Sequence, residues 1–246
     1  MNGRDQAAPT AVEAEAIAAR LADVRARMAR ACAAAGRRAE DVRLIAVTKF
    51  VEQARIAPAL AAGVTDVGEN RAQELTEKLT FFEQHGCTVH FIGQLQTNKI
   101  KYVCGAAALI HSVDRLPLAQ QLQRRAAALG VVQDVLLQVN IGAEAQKGGV
   151  AADEALRLLD EAAVMDHLRV RGFMCVPPAL PEADAVRPYF AALRGLLERA
   201  GAVHPELPLT ELSMGMTHDF EAAICEGATM VRVGTGIFGP RRMSQV

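Results

Sequence analysis

A chain of 246 residues has room for one large α/β barrel or two small domains, and with 51% hydrophobic residues it can bury a sizeable core. Its net charge of −1, from 27 basic and 28 acidic residues interspersed along the chain, excludes an electrostatic nucleic-acid binder. No apolar run approaches the roughly 20 residues of a membrane span, and the five cysteines are scattered without a C-x-x-C, so thiols in a reducing, cytoplasmic setting are expected rather than disulfides or zinc ligands.

Residues 1–10 read as a disordered tail; Asp5, Glu13 and Glu15 interrupt any leader-like apolar segment. Residues 11–35 form an Ala/Arg-rich helix whose apolar positions Ile17, Leu21, Val24 and Met28 fall on one face, with Gly36 as its stop. This helix is expected to pack under the barrel that follows. Short β-branched runs then appear at 43–49, 64–69, 89–94, 108–113, 134–141, 168–176, 209–215 and 229–235. Helical stretches alternate with them at 52–62, 71–84, 97–104, 115–129, 151–165, 183–200 and 217–226. Eight such repeats in about 200 residues suit a (β/α)₈ TIM barrel near its minimum length, with an open doubly wound sheet as the alternative. No linker divides the chain, so residues 1–246 are read as a single domain.

In such a barrel the chemistry gathers at the C-terminal ends of the strands. The first strand ends in Thr48 and Lys49, the second in Gly68, Glu69 and Asn70. A terminal lysine ordinarily snorkels into water. The last two loops, "SMGMT" and "VGTGIFG", change that reading. Barrels often bind phosphate at these two loops, and Ser213, Gly215, Gly234, Thr235 and Gly236 would let backbone N–H groups approach an anion. Gly234, Gly236 and Gly239 also spell G-x-G-x-x-G, but only seven residues follow, too few for the helix, strand and acidic residue of a dinucleotide fold. The histidines show no metal-ligand spacing; His90 and His111 read as satisfied barrel-lining residues and His218 as a solvated first-turn residue.

A strand-end lysine facing a phosphate site suits Schiff-base chemistry, with either a phosphosugar or pyridoxal 5′-phosphate (PLP) as the ligand. Arg232, two residues before Gly234, would face the same mouth. There it could donate to a pyridine nitrogen and oppose its protonation, or form a structural ion pair.

The motifs "AVTK", "GENRAQEL", "HFIGQLQTNK", "IHSVD", "RGFMCVPP", "LSMGMTHDFEAAI" and "MVRVGTGIFGPR" occur in the order of a known family. Over residues 40 to 242 the chain resembles the pyridoxal phosphate homeostasis proteins, whose fold is similar to the N-terminal barrel of alanine racemase. The resemblance implies PLP as cofactor, bound as a Schiff base on Lys49, with Arg232 at the pyridine nitrogen. It also implies phosphate contacts from Ser213, Gly234 and Thr235, Asn70 lining the cofactor, and Lys147 as a secondary or transfer site. Two positions depart: "FVE" follows Lys49 where a proline-containing segment is usual, and His218 stands where an aspartate is usual.

Three readings follow: a PLP carrier without turnover of its own, an amino-acid racemase, and a lysine-dependent aldolase. Racemisation needs a second acid–base group opposite the lysine, and Tyr102 and Tyr189 fall in or beside predicted helices rather than at strand ends. The carrier is therefore expected, handing PLP to apo forms of PLP-dependent enzymes, as a monomer or weak dimer, with no nucleic-acid or membrane partner.

Overall fold

The computed structural model describes residues 9–144 and 146–240, so all but the last two residues of the expected tail lie outside it. Helix α1 (Ala11–Ala34) starts where the Thr10 hydroxyl accepts the Glu13 N–H at 3.2 Å. It buries Ile17, Leu21, Val24, Met28 and Cys32 on one stripe and ends before Gly36, which takes φ +66°.

The alternating elements are β1 (Arg43–Val47), α2 (Gln53–Ala61), β2 (Asp66–Glu69), α3 (Ala72–Gln84), β3 (Thr88–Phe91), α4 (Ile100–Val103), β4 (Leu109–Val113), α5 (Leu116–Leu129) and β5 (Gln133–Asn140). They continue with β6 (Val150–Ala151), α6 (Ala155–Ala163), β7 (Leu168–Cys175), α7 (Arg187–Val203), β8 (Glu211–Ser213), α8 (Phe220–Cys225), β9 (Met230–Val233) and α9 (Thr235–Phe238). Eight strands pair in parallel, and β9 returns to β1 to close the ring; the short β6 hangs on the end of β5. The expected closed barrel is therefore the observed one.

Local chemistry explains where elements differ from their predicted spans. The stretch 151–165 opens with β6 because Gly149, at φ +126°, brings the chain against β5, where a Cβ would lie 2.5 Å from the Asn140 nitrogen. The stretch 97–104 splits into a 3₁₀ turn, Thr97–Lys99, and α4, consistent with the competing side chains of Thr97 and Asn98. Helix α8 starts at Phe220 rather than near 217, because the Asp219 carboxylate turns back to accept the Met216 N–H at 2.5 Å and holds 216–219 as a turn.

Alternation along the strands divides the apolar residues in two. The large core lies between sheet and helices, whereas Ile45, Leu109, Leu136, Met174 and Met230 form a small cluster inside the barrel. Helix α1 packs on α2, α8 and α9, at the side of the barrel rather than under it. There Arg20 Nε donates to Ile237 O at 2.8 Å, and Arg55 joins Glu13 (2.7 Å) and Phe238 O (2.7 Å). Among the described residues no helix is long and apolar enough to cross a membrane.

One glycine is demanded by closure. Gly172, at φ +147°, sits at the break in β5–β7 register, and a Cβ there would lie 2.0 Å from the Glu211 carbonyl oxygen. Gly172→Ala is expected to destabilise the fold by roughly 2 kcal/mol or more, through backbone strain and steric overlap, seen as a lower midpoint in urea unfolding.

Candidate functional site

Residues 45, 47 and 49 share one strand face, and Ile45 is inside the barrel, so Lys49 emerges on the inner side at the C-terminal mouth. It is half-buried, and the backbone on either side of it is held from outside the barrel wall. Lys78 of α3, only 7% exposed, donates to Thr48 O (2.8 Å), Glu69 Oε1 (2.9 Å) and Glu74 Oε2 (3.1 Å). Glu74 Oε2 also accepts the Phe50 N–H at 2.7 Å, and the Thr48 hydroxyl donates to Glu69 Oε1 at 2.6 Å. One buried cluster thus grips the peptide groups before and after Lys49, with Phe50 at φ +60°. Burial pushes the Glu69 carboxyl above the usual range, against the pull of Lys78 and Thr48.

Arg232 of β9 pairs in register with Ile45 of β1 and is 4% exposed. Its Nη1 donates to Ser213 Oγ (2.6 Å) and its Nη2 to Cys175 O (2.8 Å), a hydroxyl and a carbonyl rather than a carboxylate. Burial pulls its pKa below the usual arginine value, opposed in part by Asp219, yet a guanidinium remains protonated. The Cys175 thiol is pushed up by burial to about 12. Behind Ser213, His111 Nδ1 lies 2.9 Å from its hydroxyl, His90 Nδ1 lies 2.9 Å from His111 Nε2, and Asp66 Oδ1 lies 3.1 Å from His90 Nε2.

The last two loops meet at Thr217. Its hydroxyl accepts the Gly236 N–H at 3.3 Å and lies 3.2 Å from the Thr235 hydroxyl. A Cβ on Gly236 would come within 2.9 Å of Val233 and 3.1 Å of Thr217, which must then shift, and one on Gly234 would press on Val47 at 3.3 Å. Gly215, at φ +90°, lets the turn cross α8, where a Cβ would lie 2.6 Å from that of Ala223. On the other side of Lys49, Asn70 Oδ1 is buried without a hydrogen-bond partner. A cleft of about 400 Å³ continues past Lys49 and Asn70 to Arg71, Gln94 and Lys99.

The structure places Lys49 and Asn70 on one cleft beyond β1 and β2, Arg232 inside the barrel on β9, Gly234 just beyond β9 against Val47, and Thr235 exposed at the start of α9. Ser213 stands behind Arg232, its hydroxyl engaged by that residue and by His111; the loop position facing Thr235 belongs to Thr217. Lys147 lies in the loop between β5 and β6, where its amine donates to Pro177 O at 2.6 Å and pairs with Glu144 at 2.5 Å. His90 and His111 do line the barrel, as expected, and His218 is exposed ahead of α8. Sequence reasoning passed over Thr217 and Lys78. For Lys78 a signal existed: it sits between Leu75 and Phe82 on the buried stripe of an amphipathic helix, four residues after Glu74.

Comparison with known proteins bears on the family and the fold. Residues 16–242 match the family described as alanine racemase, N-terminal domain. The pyridoxal phosphate homeostasis protein of Aquifex aeolicus is 43% identical over 223 residues, covering 91% of this chain and 97% of its own. A crystal structure of an unknown protein from Bifidobacterium adolescentis superposes with a TM-score of 0.89 at 37% identity, covering 94% of this chain and 97% of that one. The structure of PipY from Synechococcus elongatus with PLP bound superposes with a TM-score of 0.79 at 35% identity, covering 91% of this chain and 100% of that one.

Proposed function

Because the chain belongs to the pyridoxal phosphate homeostasis proteins, built on the alanine racemase N-terminal domain, we propose that it holds PLP at the barrel mouth and serves its storage and delivery without turnover of its own. The observation that carries this reading is the convergence of an inward lysine, a buried arginine and a glycine–threonine loop pair on one mouth. The residues fit the cofactor. Asn70 Oδ1 is a buried acceptor in need of a donor, Arg232 offers a fixed donor, and the glycine backbone at Gly234 and Gly236, crowded against Val47, Val233 and Thr217, carries no side chain that would shield its N–H groups from an anion.

Bound there, PLP supplies an aldehyde that condenses with an amine and loses water. Lys49 is the amine that would take it, kept in place by the grip on Thr48 and Phe50. Thr217, Thr235 and the N–H groups around Gly236 would hold the phosphate. Arg232, cationic and anchored from behind, would donate to the ring nitrogen and disfavour its protonation. A nitrogen kept neutral weakens the ring as an electron sink, which favours holding the cofactor over chemistry on amino acids. Tyr102 and Tyr189 belong to α4 and α7, so neither stands on a strand end opposite Lys49. Release would follow when an amine of a recipient apo-enzyme displaces the Lys49 amine, the proton count being kept by the exchange of one amine for the other.

Incubation with PLP followed by borohydride reduction and peptide mapping tests the reading. The expected result is a visible absorption band and a pyridoxyl group on Lys49, with no racemisation of amino acids by the same sample. A protein that stays colourless and unmodified sinks the PLP reading; rapid racemisation sinks the carrier.

A further inference from the structure

The hydrogen bonds behind Arg232 run in single file from the cradle toward the opposite end of the barrel. Asp66, at the start of β2, lines a cavity of about 440 Å³ together with Arg43, Asp134, Arg171 and Glu211. The two ends of the file are fixed in character, since a guanidinium only donates and an ionised carboxylate only accepts. Asp66 is partly buried, which works against its charge, but hydrogen bonds from His90 and Thr65 and the Arg43 guanidinium 3.6 Å away hold it below its usual range.

Counting protons between these ends leaves one arrangement that satisfies every group. Ser213 Oγ accepts from Arg232, so its own proton goes to His111 Nδ1, which must be bare. The His111 proton then sits on Nε2 and points to a bare His90 Nδ1, and the His90 proton sits on Nε2 and points to Asp66. Reversing both neutral rings would leave the Ser213 proton without an acceptor and set a bare nitrogen against a carboxylate. Protonating His90 fully would also strand the Ser213 proton.

We propose that this one-way file, Arg232 to Ser213 to His111 to His90 to Asp66, is a positioning device that fixes the guanidinium in the cofactor cradle and couples it to the charge at the far end of the barrel. Ser213, His111 and His90 are positioning residues: they touch Arg232 or one another, not the cofactor. Each link is polarised by the next, because a buried cation at one end and an anion at the other align every dipole between them. The role of Arg232 toward a ring nitrogen rests on the reading given above; the tautomers do not.

Nitrogen-15 NMR of the histidine-labelled, cofactor-free protein near neutral pH tests the file directly. Two buried rings carrying hydrogen on Nε2 and a bare Nδ1 are expected, and His111→Phe should remove one and perturb the other. A His90 or His111 ring, identified by its loss or perturbation in His111→Phe, that is protonated on both nitrogens or on Nδ1 alone overturns the proposal. The surface rings His85, His167 and His204, whose nitrogens face carbonyl or carboxylate oxygens, are set aside by their insensitivity to that substitution. PLP titration of Asp66→Asn and His111→Phe tests the coupling. Affinity should fall a few-fold in the first and about tenfold in the second, with a displaced pH midpoint of the visible band, while borohydride still traps Lys49. An Asp66→Asn protein identical to the parent in band and affinity overturns the coupling. If the parent itself is not trapped at Lys49, the functional reading fails, and the coupling to a cofactor falls with it whatever the tautomers show.

Discussion

A Lys78→Met protein is expected to lose about 3–5 kcal/mol of stability, the usual cost of stripping one partner from a buried ion cluster. Lys78 is 9% exposed at its side chain, Glu69 is fully buried, and Glu74 is 15% exposed, so the two carboxylates would be left without their counter-ion and with little water. The loss should depend on pH in a defined direction. The Glu69 pKa is already raised by burial, and removing Lys78 raises it further. A group with a raised folded pKa contributes stability that is fully present below its unfolded pKa and is lost as pH rises through the folded value. The deficit against the parent should therefore be small in mild acid and grow toward neutral pH and above. Adding Glu69→Gln and Glu74→Gln should recover most of it. Urea unfolding at two pH values checks this, and a deficit that widens in acid would refute the account.

Lys49→Ala should show the opposite profile, with little change in stability and a large change in binding. The residue is half-buried at a strand end, so truncation should cost within about 1 kcal/mol. PLP affinity should fall by about a hundredfold, which is about 2.7 kcal/mol, and borohydride should trap nothing. Lys49→Arg separates charge from nucleophilicity, because a guanidinium keeps the cation but does not add to an aldehyde at neutral pH. It should behave like the alanine protein. An arginine variant that binds like the parent would mean that position 49 contributes only its charge.

The contrast between these two lysines shows what the sequence carried. Eight alternations of strand-like and helix-like runs sufficed for the barrel, because a parallel sheet leaves few other ways to cover both faces. Lys49 and Arg232 were legible because position along a strand and parity of spacing say which end and which face a residue occupies. The linkage of His90, His111, Ser213 and Asp66 was not legible. These residues come from four different strands; Asp66, His90 and His111 sit on the neighbouring β2, β3 and β4, but only closure of the ring brings Ser213 of β8 across the axis to His111. Ser213 illustrates the limit: a hydroxyl at the end of the strand before the "GMT" turn suits an anion contact, yet parity aims it into the barrel, where Arg232 takes it. Lys78 was masked for another reason, since a lysine in a helix ordinarily reads as solvated.

The thiols bear on chemoselectivity. An aldehyde is open to attack by any unhindered sulfur nucleophile as well as by amines, and it is the thiolate that attacks. Cys175 is the cysteine whose carbonyl holds Arg232. With a pKa of about 12, its thiol would be ionised in only on the order of one molecule in 10⁵ at neutral pH. Its side chain also belongs to the core outside the barrel wall, whereas its neighbour Met174 faces the interior. Burial likewise raises Cys32, Cys87 and Cys104 above the usual thiol range. The same burial that packs these four thiols would keep them from diverting a carbonyl compound held at the mouth, and would blunt their response to mild oxidants.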